Sequence, residues 1–132
     1  MKILLLNADD KHTERVQALL TAAGHTVEVT WEDSAGIQAC RRFQPEVIIA
    51  CGGGNLDWFM NALKRERMDQ YPVMLVGETN WRSTNMLFRD GVKSVIPPAE
   101  VEGFIFWEIW EVTGVSIYEI DGSRQKRQAV SQ

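Results

Sequence analysis

Apolar and polar positions change period along this chain in a regular order. Ile3-Leu4-Leu5-Leu6 is a continuous apolar run, as a strand covered on both faces requires. Residues 10–23 switch to helical spacing: Val16, Leu19, Leu20 and Ala23 fall at i, i+3, i+4 and i+7, and Gly24 stands where a helix C-terminus is closed. Thr26 to Thr30 forms a second strand. Ser34 is placed to cap a second helix whose inward positions are Ile37, Cys40 and Phe43, with Pro45 ending it. Val47-Ile48-Ile49-Ala50 is a third strand. After the loop Gly52-Gly53-Gly54-Asn55, residues Leu56, Phe59, Met60 and Leu63 repeat the helical stripe.

Pro72 opens a fourth strand, Val73 to Val76. A less regular helix over 82–90 ends before Gly91, and Val95-Ile96 is a short fifth strand stopped by Pro97-Pro98. A fifth helix covers 100–112. Strand and helix thus alternate five times with short connections, which predicts an α/β fold. Its three layers are a five-stranded parallel sheet and helices on both faces. The expected strand order is 2-1-3-4-5. Residues 1–114 make one domain. Residues 115–132 are an extension in which Val115, Ile117 and Ile120 offer one more short strand, and Gly122 to Gln132 reads as a partly disordered, solvated end.

Composition narrows the function. Across 132 residues, 18 acidic side chains outweigh 14 basic ones, for a net charge of −4. Direct nucleic-acid binding wants a clustered positive surface, so it is not expected. No apolar run reaches the ~20 residues that cross a bilayer, so no membrane span is expected. Cys40 and Cys51 lie within helix and strand patterns and do not suggest a disulfide framework, which favours a reducing cytoplasmic setting. His12 and His25 are not paired with acids or cysteines at ligand spacing, so no metal or other cofactor is assigned.

Ile3-Leu4-Leu5-Leu6, Ala23-Gly24-His25, Pro45-Glu46-Val47-Ile48-Ile49, Pro72-Val73-Met74-Leu75-Val76 and Leu87-Phe88-Arg89-Asp90-Gly91-Val92 together resemble the receiver domains of bacterial response regulators. These share the CheY-like, flavodoxin-like fold. The resemblance covers residues 2–112. It implies a site at the carboxyl ends of the strands. An acidic pair after strand one holds Mg²⁺ there, and an Asp ending strand three accepts phosphate. A Ser or Thr ends strand four, a Lys precedes Pro after strand five, and strand five carries a switchable aromatic. In this chain those positions hold Asn7 and Ala8, Cys51, Gly77, Pro97 or Pro98, and Val95. Asp9 and Asp10 lie two residues beyond the acidic-pair position, and Asp57 belongs to the start of helix three. The resemblance is therefore to a degenerate, phosphorylation-independent receiver, a pseudo-receiver, and not to an enzyme.

What replaces the lost chemistry has several readings. Gly52, Gly53, Gly54 and Asn55 either cradle an anion or only turn a short loop. Cys51 is a reactive thiol or a buried, inert side chain. Trp31, Trp58 and Trp81 follow strands two, three and four, and so either rim the crevice as a ligand or partner edge or cap the core beneath their loops. On helix five, Ile105, Ile109 and Val112 suffice to cover the sheet. That leaves Phe104, Trp107 and Trp110 for a protein partner or a homodimer, unless the tail folds back over them.

Overall fold

The computed structural model describes residues 1–7, 10–31, 33–52, 56–115 and 120–121. The elements are β1 (Lys2–Leu6), α1 (Thr13–Ala22), β2 (Thr26–Val29), α2 (Asp33–Phe43), β3 (Val47–Cys51), α3 (Leu56–Arg65), β4 (Val73–Val76), α4 (Trp81–Arg89), β5 (Ser94–Ile96) and α5 (Val101–Thr113). The five strands form one parallel sheet in the order β2-β1-β3-β4-β5, as the alternating pattern predicts.

The apolar runs explain the layering. Successive side chains of β1 point to opposite faces. Leu4 and Leu6 join Ile37, Cys40, Phe59 and Leu63 of α2 and α3 in one core cluster. Ile3 and Leu5 join Val16 and Leu20 of α1 and Ile105 and Ile109 of α5 in another. All five β3 residues are buried, because this central strand has a helical layer above and below. No helix among the described residues is long and apolar enough to cross a membrane.

Several boundaries depart from the sequence expectation. Residues 10–12 form a turn ahead of α1 instead of its first turn, since Asp10 Oδ1 accepts from the His12 N–H at 2.9 Å. The second helix begins at Asp33, so Ser34 lies inside it and is not its cap. The fourth helix starts at Trp81 because Asn80 caps it, Oδ1 accepting from Ser83 N at 2.9 Å. A 3-10 turn, Pro98–Glu100, precedes the fifth helix, which Gly114 closes at φ 74°.

The expected extra strand and solvated end fall mostly outside the described residues. Ile120 is within them and is fully buried in the α1–α5 core cluster. Its carbonyl accepts from His25 Nε2, which requires that nitrogen to carry the proton. His25 Nδ1 then accepts from the Met1 nitrogen at 3.0 Å. The contact lies at the amino edge of the sheet, away from Cys51.

Candidate functional site at the carboxyl edge of the sheet

Parallel strands present their carboxyl ends at one edge, and the loops that follow enclose a crevice there. Asn7 leaves β1 with φ 67°, a left-handed conformation that Asn tolerates better than most residues. This geometry aims its side chain at the neighbouring strand, where Nδ2 donates to the Cys51 carbonyl at 3.1 Å. The Asn7 carbonyl accepts from Thr13 Oγ1 at 2.7 Å and from Asp10 N at 2.9 Å. Asn7 therefore ties the end of β1 both to β3 and to the start of α1.

Cys51 ends β3 and is fully buried. Burial pushes its thiol up to about 11; a side-chain hydrogen bond with Thr13 acts the other way and the Asp10 charge adds to the rise. A thiol held this high is protonated at neutral pH and is a poor nucleophile. The inert reading of Cys51 is the one the geometry favours. Cys40, likewise buried, is pushed up to about 12 by desolvation.

Gly52 follows at φ 78°, its N–H donating to the Val76 carbonyl at 2.8 Å. The left-handed φ favours glycine here, and a Cβ would also push the Asp10 carboxylate aside. Ala8, Asp9, Gly53, Gly54 and Asn55 lie outside the described residues. Gly77 follows β4, and its N–H donates to the Ile96 carbonyl at 3.1 Å. Pro97 is exposed and extended after β5, while Pro98 is buried and its carbonyl accepts from Arg15. Arg15 also pairs with Glu102 at 3.2 Å, joining α1 to α5. Val95 is half-buried against the α2–α3 core.

A hard divalent cation needs several oxygen ligands. At the ends of β1 and β3 the described residues offer the Asp10 carboxylate, an amide turned to a backbone carbonyl, and a buried thiol. No group of three potential ligands assembles among the described residues. These residues do not fit a Mg²⁺ site of the receiver type. Asp57 lies in the first turn of α3, exposed.

The aromatic residues do not cap the core. Trp31 is 70% exposed, Trp58 42% and Trp81 74%. They stand on the three loops or helix starts that share the carboxyl edge, and Arg82 lies over the Trp81 ring at 5.9 Å. On α5, Phe104 and Trp107 are each 52% exposed and Trp110 39%; the tail segment expected to cover them lies mostly outside the described residues. Trp107 and Trp110 meet edge to face, their centroids 5.5 Å apart.

No protein-family profile matches the sequence, and no curated protein matches it. Solved structures do match. A response regulator described as putative, from Chloroflexus aurantiacus, superposes with a TM-score of 0.67 at 15% identity. The match covers 82% of this chain and 96% of that one. A CheY-like receiver domain from Methanospirillum hungatei gives 0.66 at 13%, over 83% and 94%. The pseudo-receiver domain of the CikA protein gives 0.63 at 21%, over 84% and 95%. The chain has the fold of a response-regulator receiver domain. In this fold Asn7 follows β1, Cys51 ends β3, Gly77 follows β4 and Pro97 follows β5. None of these carries a carboxylate, hydroxyl or ammonium group. Sequence reasoning named these four positions from the resemblance. It missed Thr13 and Arg15, whose partners lie on other elements and leave no local periodic signal.

Proposed function

We propose that this chain is a receiver-like signalling module that works in the cytoplasm without phosphorylation and passes its signal by protein–protein contact. One observation carries the reading. The side chain ending β3, where a receiver would present its phosphoacceptor, is the buried and protonated thiol of Cys51, with Asn7 hydrogen-bonded to its carbonyl. Asn7, Ala8, Cys51, Gly77, Pro97 and Pro98 are then the degenerate remnants of a phosphorylation site.

Output falls to the exposed aromatics. Phe104, Trp107 and Trp110 form an apolar face on α5 of the kind that marks an interface. We assign it to a homodimer or a docked protein, with Trp31, Trp58 and Trp81 as a second contact edge. Intact-mass measurement after incubation with acetyl phosphate and Mg²⁺ tests the first half: no phosphoryl adduct should form, and a stoichiometric adduct would end the proposal. Light scattering tests the second. Trp107→Glu should lower the oligomeric mass of a self-associating wild type, and equal monomer masses would remove the homodimer.

A further inference from the structure

Helix α4 is an anomaly in its layer. Its neighbour α3 buries five residues, whereas α4 buries none of its nine. Met86 is 58% exposed and Phe88 46%, and only Leu87 packs partly against the core. A helix covering a sheet normally gives up one apolar stripe to it. Here α4 stands off and leaves a cleft of ≈ 680 Å³ beside α3. Leu56, Leu75, Met86 and Leu87 give this cleft an apolar floor.

Its rim is acidic. Asp57 comes from the first turn of α3, Glu78 from the loop after β4, and Asp90 from the end of α4. Among the described residues no Lys, Arg or His lines the cleft. The ion pairs among the described residues engage none of the three carboxylates. An anionic occupant would be repelled, and a neutral apolar one would leave the charges unanswered. The charges stand at both ends of α4, whose nine residues span about 13 Å. An occupant that meets all of them is elongated, which a compact small molecule is not.

We propose that the α3–α4 cleft is a docking groove for a basic amphipathic segment of a partner protein. Apolar side chains of that segment rest on Leu56, Leu75, Met86 and Leu87, as a helix laid in a groove places its anchors. Lys or Arg at its two ends face Asp57 and Glu78 at one end and Asp90 at the other. The groove is separate from the α5 aromatic face and does not depend on whether the crevice can be phosphorylated.

The test uses the full chain and a synthetic helical peptide of leucine and lysine, followed by two-dimensional NMR. Amide shifts should concentrate at Leu56, Met86 and Leu87. Asp57→Asn/Glu78→Gln/Asp90→Asn should weaken binding by roughly tenfold, since three exposed charge pairs each contribute a part of that factor. The control Glu14→Gln/Asp69→Asn/Glu100→Gln should bind as wild type does. Each triple removes three negative charges and moves the formal net charge from −4 to −1, so overall charge is matched. All six carboxylates belong to residues that are exposed or half-buried, and the amide variants keep the fold. Equal weakening by both triples, equal binding of a leucine–glutamate peptide, or shifts confined to Phe104, Trp107 and Trp110 would each overturn the proposal.

Discussion

Asn7 is where backbone strain and side-chain bonding can be separated by mutation. Its φ of 67° is left-handed, and its amide Nδ2 donates to the Cys51 carbonyl at 3.1 Å. In Asn7→Ala the methyl side chain must enter that conformation at a cost of about 1 kcal/mol. The lost hydrogen bond adds about 1 kcal/mol more. Asn7→Gly loses the bond but adopts the backbone freely, at an entropic cost of about 0.5 kcal/mol in the unfolded chain. Alanine should therefore destabilise by about 2 kcal/mol and glycine by somewhat less. At an ordinary helix or strand position the order of the two is the reverse. Urea unfolding followed by tryptophan emission reads this directly. With a slope of about 2 kcal/mol/M, the alanine midpoint falls by roughly 1 M. Alanine at least as stable as glycine would refute the strained backbone at Asn7, and both equal to wild type would refute its role as the tie between β1 and β3.

Gly52→Ala should lose roughly 1–2 kcal/mol from its φ of 78° and displace the Asp10 carboxylate; adding Asp10→Ala should recover only part of that loss in the same urea assay. His25 is lowered from 6.5, chiefly by burial, with the Ile120 carbonyl and Glu46 opposing. The unfolded chain therefore takes up the proton first. The His25 contribution is complete above pH 6.5 and declines as pH falls from there towards the lower folded value. Thermal unfolding across pH 5 to 8 should show that decline in wild type and a flatter curve in His25→Asn, and identical curves would contradict it. Cys51, pushed up to about 11 and buried, should resist iodoacetamide at pH 8 in the native chain and react once unfolded. Fast native alkylation, located by peptide mass mapping, would revive a reactive thiol.

The parallel sheet was legible because its central strands are apolar on both faces and its helices repeat every three to four residues. Leu56, Phe59, Met60 and Leu63 are all buried as their spacing predicts, and Gly24 adopts φ 93° at the end of α1. The candidate site positions were proposed by counting along strand ends. Contacts that span elements were not legible. His25 and Ile120 are 95 positions apart, and no local pattern foretells that the chain returns to the amino edge. The stand-off of α4 was equally hidden, because periodicity reports which face of a helix is apolar and not whether the sheet receives it. The exposure of Trp31, Trp58 and Trp81 was not legible either, because composition does not say whether a ring at a loop is covered.

The most direct test of the central claim is a two-dimensional NMR titration with beryllofluoride and Mg²⁺, a mimic of an aspartyl phosphate. With Cys51 ending β3, the amides of Asn7, Thr13, Cys51 and Gly77 should keep their positions at saturating reagent. Specific, saturable shifts at those amides would mean that the crevice still holds a phosphoryl group, and the account of a receiver fold that signals through its surfaces alone would be wrong.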